Sequence, residues 1–171
     1  MKSALITGAA SGLGRACAER MAREGYGVVI ADVNLPAAQD LADSLAEEGL
    51  SAIAIHMDVS SEEEVEAGFD RMMEAYGSCD LVMSNAGVQI VHPFEDYPFA
   101  DWRKMMAIHA DGAFLVSRAA YRRMKTSGRG GKEDRIYRLC PDIRWLQAEG
   151  ALQLRQARCC RTCQVHRPGG C

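Results

Sequence analysis

Residues 4–14 read ALITGAASGLG. An apolar run that stops at a glycine and gives way at once to a helical repeat leaves few ways to fold. The run has no polar alternation, so the strand it predicts is buried on both faces. Gly8, Gly12 and Gly14 then turn the chain tightly out of that strand and into a helix. A strand buried on both faces belongs to a parallel sheet, and parallel strands need crossover helices to connect them.

The chain to residue 131 repeats this unit. From Gly12 to about Glu24, apolar residues recur at Leu13, Ala16, Cys17 and Met21, the spacing of a helix face. GVVIAD, 27–32, is a second strand ending in a carboxylate. Asn34 is placed to cap a helix with Pro36 in its first turn, continued by Ala37 to Glu48. SAIAIHMDV, 51–59, is a third strand, and Ser60 with Glu63 has capping-box spacing ahead of a helix to about Tyr76. CDLVMSNAG, 79–87, is a fourth strand. After a loop with Pro93 and Pro98, one long helix is predicted from about Asp101 to Lys125, with Met105 and Phe114 in core or dimer packing. Strands alternating with helices predict an α/β fold, a Rossmann-type doubly wound parallel sheet. The pattern stops after the fourth strand and its helix, so the sheet is expected to be truncated there, with the fourth strand as an exposed edge.

The turn TGAASGLG has the chemistry of a dinucleotide site. Backbone without Cβ lets a pyrophosphate approach the amides, and a helix N-terminus offers unpaired N–H groups and partial positive charge. A tight turn with no ligand is the plainer reading. The following strand distinguishes them, because Asp32 ends it, 24 residues after Gly8. A carboxylate there accepts hydrogen bonds from ribose hydroxyls and repels a 2′-phosphate. Val33 and Asn34 follow, with no arginine to receive that phosphate, so the cofactor predicted is NAD rather than NADP.

With DV at Asp58–Val59 and NAG at Asn85–Gly87, the glycine turn resembles the short-chain dehydrogenase/reductase family from Leu5 to about Met124. The resemblance implies cofactor contacts from Thr7, Gly8, Ser11, Gly12, Leu13, Gly14 and Asp32. It implies that Asp58 hydrogen-bonds adenine with Val59 packed nearby, and that Asn85, Ala86 and Gly87 close the nicotinamide side. Within the family, NAGVQIVHPFEDYPFADW is similar to 3-hydroxybutyrate dehydrogenases, which implies a small hydroxy acid as substrate, bound by the amide of Gln89. His109 stands where the family usually carries a proton-relay asparagine; it is a candidate relay or a structural histidine. Family members form homo-oligomers, an assembly that the loss of later elements puts in question here. Other substrates open to the family are sugars and 3-oxoacyl groups.

Hydride transfer from a secondary alcohol needs a base. The family uses a tyrosine whose pKa is lowered by a lysine four residues on, and a serine that positions the substrate oxygen. After Met124 the only tyrosine is Tyr137, and Pro141 stands four residues beyond it. Tyr121 and Lys125 have the spacing but lie on the long helix, where they are expected to face solvent or a partner. The polypeptide is therefore expected to be catalytically dead or severely impaired, and a non-catalytic NAD- or partner-binding protein is the alternative.

The composition changes beyond SGRGGK, 127–132. Residues 1–131 hold 12 Lys/Arg against 19 Asp/Glu, a net of −7, whereas residues 132–171 hold 8 against 4, a net of +4. Five of the seven cysteines lie in this last segment. Codons for the segment, read one base later, can supply the missing serine near Leu139, tyrosine near Leu152 and lysine near Gln156, so 132–171 is expected to be an out-of-frame, disordered tail. Zinc ligation by Cys160, Cys163, His166 and Cys171 has irregular spacing, and no metal is expected. An overall charge of −3 gives no sign of a nucleic-acid partner. No apolar run spans a bilayer and no signal peptide is evident, so a cytoplasmic protein without a membrane partner is expected.

Overall fold

The computed structural model describes residues 1–126 and the backbone of residues 135–138. β1 (Ser3–Thr7) is buried along its whole length, so it runs through the middle of a parallel sheet. β2 (Gly27–Asp32) and β4 (Leu81–Ser84) flank it, β3 (Ala52–His56) lies outside β2, and β5 (Arg135–Arg138) lies outside β4. The order β3–β2–β1–β4–β5 reverses direction at β1, as a doubly wound sheet requires. Register is fixed along β1, with Ser3 to Thr7 opposite Gly27 to Ala31.

Successive residues of each strand feed opposite layers. Leu5, Val29 and Val82 pack with Phe69, Met72 and Val116 on one face. Ile6, Val28 and Ile30 pack with Ala18, Leu41 and Leu45 on the other. Each such Val, Leu, Ile, Phe or Met side chain, fully buried, contributes about 1.5–3 kcal/mol. The first face belongs to α3 (Glu62–Tyr76) and α5 (Gly112–Thr126), the second to α1 (Gly12–Arg23) and α2 (Leu35–Glu47). No helix among the described residues is long and apolar enough to cross a membrane.

Four local expectations change. The expected edge at β4 is not found, because β5 pairs with it in parallel, Leu81 to Ser84 against Arg135 to Arg138. Ile136 and Tyr137 are β-formers, and four residues suffice for a short ladder. The inward face of α1 is Gly14, Ala18 and Ala22, while Leu13 is 58% exposed, because the turn before the helix presses Gly14 against the sheet. The N-cap of α3 is Ser61, whose hydroxyl accepts from the Glu64 amide; Ser60 instead donates twice to Asp58 Oδ1. The single long helix is interrupted: α4 (Phe99–Met106) passes through a π-helical turn at Ala107–Asp111 into α5.

Met105 is buried, but Phe114 is 61% exposed, with the Arg118 guanidinium over its ring at 5.1 Å. Thus Phe114 is not core. The candidate tail ligands Cys160, Cys163, His166 and Cys171, and the expected disorder of the tail apart from β5, lie outside the described residues.

Candidate functional site

In a parallel sheet, every loop that follows a strand emerges at the same edge. The crevice there, beside β1 where the order reverses, is where such folds bind ligands. Its floor is the turn from Thr7 to Gly14. Gly8 and Gly12 have φ of 63° and 55°, the left-handed conformation that glycine adopts without strain. A Cβ on Gly14 would lie 2.2 Å from the Gly8 carbonyl oxygen and 2.6 Å from Asn85 Nδ2, so only glycine lets α1 start this close to the strand end.

The opening of α1 differs from those of its neighbours. Asn34 caps α2 through the Ala37 amide, and Ser61 caps α3, which carries Glu62, Glu63 and Glu64 in its first turn. Ser11, at the N-cap of α1, makes no side-chain cap, and the first turn holds no acid. Ser11, Gly12 and Leu13 are exposed. This leaves the positive end of the α1 dipole open for an external anion.

Thr7 and Asn85 lock the turn to the loop after β4. The buried Thr7 hydroxyl accepts from the amides of Asn85 and Ala86, each at 3.0 Å. Asn85 Nδ2 donates to the carbonyls of Thr7 and Gly8, at 2.9 and 3.1 Å. Both side chains thus hold the cradle together. Asp32, half-buried at the end of β2, does the same from the other side: Oδ2 accepts from the Ala10 amide and Oδ1 from the Asn34 amide, both at 2.9 Å. Each carboxylate oxygen retains a lone pair for a further donor.

At the end of β3, Asp58 sits half-buried, while Val59 is buried against Gly112 at the start of α5. At the end of β4, Gly87 lies under the His109 ring; a Cβ there would be 2.6 Å from Cε1. His109 Nε2 lies 2.8 Å from the Val88 carbonyl oxygen and 3.2 Å from its amide nitrogen. The two contacts share one ring nitrogen, which donates to the carbonyl in one tautomer and accepts from the amide in the other. His109, in the π turn, therefore braces the Gly87–Val88 turn, and Gln89 follows as an exposed residue.

A second knot, unforeseen from sequence, holds the loop beyond Gln89. His92 Nε2 is 2.9 Å from Asp101 Oδ2, and Tyr97 stands edge-on to the His92 ring. The Tyr97 hydroxyl donates to the Ile90 carbonyl at 2.8 Å. Burial, then the Asp101 carboxylate, push the Tyr97 phenol above its ordinary range. No local spacing signals this cluster, because its three members meet only when the loop folds back on α4. Tyr121 and Lys125 are both exposed on α5. No group of three or more potential metal ligands occurs among the described residues.

With this cradle in view, comparison with known proteins is decisive. The family model for short chain dehydrogenases matches residues 2–132. The chain belongs to the short-chain dehydrogenase family. It is 41% identical over 133 residues to the uncharacterized oxidoreductase YuxG of Bacillus subtilis (strain 168), covering 76% of this chain and 19% of that protein. It is 38% identical over 131 residues to sorbitol dehydrogenase of Cereibacter sphaeroides, covering 77% and 50%. The crystal structure of a short-chain type dehydrogenase/reductase from Mycobacterium marinum superimposes with a TM-score of 0.75 at 34% identity, over 80% of this chain and 54% of that one. The chain thus spans about half, or less, of the length of these relatives.

The short-chain dehydrogenases are NAD(P)-dependent oxidoreductases acting on small molecules. The geometry fits a dinucleotide: a helix N-terminus without a side-chain cap, a glycine turn in which a Cβ at Gly8 or Gly14 would clash, and a carboxylate on the adjoining strand.

Proposed function

We propose that this chain binds NAD at the carboxyl edge of its sheet, with the pyrophosphate on the first turn of α1. The observation that carries this reading is the uncapped, acid-free start of α1 behind the Gly8–Gly14 cradle, with Asp32 beside it. Gly8, Ser11, Gly12, Leu13 and Gly14 would meet the pyrophosphate, Asp32 the adenosine ribose, and Asp58 the adenine. Thr7, Asn85 and Ala86 hold the cradle, and Gly87 with His109 shapes its nicotinamide side. When bound, the nicotinamide supplies a hydride acceptor or donor. Titration calorimetry with NAD and NADP tests the reading: micromolar NAD binding supports it, and no binding of either dinucleotide defeats it.

The family reaction also needs a base at the substrate hydroxyl. Neither exposed Tyr121 and Lys125 nor Tyr137, with proline four residues on, provides one. We accordingly propose that residues 1–171 by themselves bind dinucleotide without catalysing turnover. NADH formation above background with 3-hydroxybutyrate or sorbitol would defeat this part, and the nucleotide sequence across codons 125–175 tests the out-of-frame origin.

For the family reaction, a small hydroxy acid is the substrate class, with Gln89 on its carboxylate; the similarity of residues 85–102 to 3-hydroxybutyrate dehydrogenases supports this. A polyol is the second reading, favoured by the similarity to sorbitol dehydrogenase.

A further inference from the structure

Asp58 is held on more sides than a loop residue needs. Its carbonyl accepts from the Ser61 amide at 3.0 Å. Its Oδ1 accepts from the Ser60 amide at 2.9 Å and the Ser60 hydroxyl at 2.7 Å. Its own amide lies beyond the end of the β2–β3 ladder, whose last bond runs from the Met57 amide to the Asp32 carbonyl. That amide donates instead to Glu64 Oε2 at 2.8 Å. The same Glu64 oxygen is 3.0 Å from His56 Nδ1. His56 is the β3 residue paired with Asp32. One carboxylate from the first turn of α3 therefore ties together the end of the edge strand and the residue that follows its turn.

We propose that Glu64, braced by His56, is a positioning residue for the base-recognition end of the dinucleotide site. The inference rests on the proposed binding of NAD. A pyrophosphate on α1 leaves two directions along the sheet edge, towards β4 or across β2 to β3. Asp32 on β2 marks the second as the adenosine side. Asp58 is the next carboxylate in that direction, and Ser60 engages only its Oδ1. The remaining oxygen, Oδ2, can accept from an exocyclic amino group, and its direction depends on the backbone at Asp58 being fixed. A charge-assisted N–H bond to Glu64 is the strongest of the bonds that fix it. His56 Nδ1, as a donor, holds the Glu64 carboxylate on that amide.

The test compares NAD with nicotinamide hypoxanthine dinucleotide, which replaces the adenine amino group by a carbonyl oxygen. The wild-type chain is expected to bind NAD about tenfold more tightly, the scale of one hydrogen bond to a charged group. Glu64→Ala should bring that ratio to about one, while Glu64→Gln, which keeps an oxygen for the Asp58 amide, should keep most of it. Where the alanine variant fails to fold, Glu64→Met carries the same expectation, since it keeps helix propensity but offers no acceptor of that strength. His56→Ala should lower the ratio about threefold, an intermediate loss. A merely structural role for Glu64 weakens both dinucleotides equally, and an unchanged ratio in the alanine or methionine variant overturns the proposal. Failure of the wild-type chain to bind either dinucleotide defeats the underlying NAD reading instead, and the inference falls with it.

Discussion

Gly14 and Gly8 stand so close that a Cβ on the first would lie 2.2 Å from the carbonyl oxygen of the second. That oxygen belongs to rigid backbone, so the clash cannot be relieved by a side-chain rotation. Gly14→Ala is expected to destabilise the chain by about 3 kcal/mol and to abolish dinucleotide binding. Gly12 makes the contrast. Its φ is 55°, but nothing lies within 4 Å of its missing Cβ, so Gly12→Ala should cost about 1 kcal/mol. Urea denaturation of the two variants measures the difference.

Thr7 is buried, and its hydroxyl receives two amides. Thr7→Val keeps the shape and removes the acceptor. Leaving two N–H groups unpaired should cost about 2–4 kcal/mol, whereas Thr7→Ser should lose under about 1.5 kcal/mol from its missing methyl. The ranking by chemical denaturation checks this. Equal losses for valine and serine would show that packing, not the hydroxyl, holds this junction.

The sheet was legible from sequence because strands such as GVVIAD are apolar on both faces and bounded by glycine or a carboxylate. The glycine cradle was legible because its spacing is local. What could not be read is tertiary. Asp32 looked like a ribose ligand, yet it also clamps the Ala10 amide, a contact made across 22 residues. Asn85 looked like part of a site wall, yet it bonds carbonyls 77 and 78 residues earlier in the chain. The face of α1 was misplaced because composition at Leu13 says apolar, while the approach of Gly14 to Gly8 decides which side turns inward. β5 carries little pattern, because only Ile136 and Tyr137 stand between its terminal arginines.

Asp32 should decide which dinucleotide binds. Its carboxylate lies at the end of β2, where a 2′-phosphate would meet a like charge at short range. The wild-type chain is expected to favour NAD over NADP by about tenfold or more, and Asp32→Ala to bring the ratio near one. The variant also loses the acceptor for the Ala10 amide, so its absolute NAD affinity should fall. Calorimetry with both dinucleotides checks ratio and affinity together; equal binding by the wild-type chain would remove the argument for NAD.

Burial pushes the Tyr76 phenol above its usual value near 10, against a smaller lowering by Ser51. A folded pKa above the unfolded one means that the folded state holds the proton more tightly. The resulting stability is fully present below about pH 10, the unfolded value, and is lost as pH rises through the folded value. The wild-type melting temperature should therefore fall more steeply above pH 10 than that of Tyr76→Phe. At pH 8 the two should differ little, since the bond from the Tyr76 hydroxyl to the Val28 carbonyl is long, at 3.4 Å. Thermal melts between pH 8 and 11.5 separate the curves; parallel curves would place the alkaline loss at another group.

His109 and Gly87 should be coupled. A Cβ at Gly87 meets the imidazole at 2.6 Å, so Gly87→Ala pushes the ring away from the Val88 carbonyl and is expected to cost about 1–3 kcal/mol. His109→Ala removes both the ring and its bond to Val88, and has its own cost. In the double variant the added methyl enters space the ring has left, so the Gly87→Ala penalty should largely disappear. The coupling energy read from the four-protein cycle is expected to exceed about 1 kcal/mol, well above the scatter for independent sites. Additive losses would mean that the turn does not rest on the histidine.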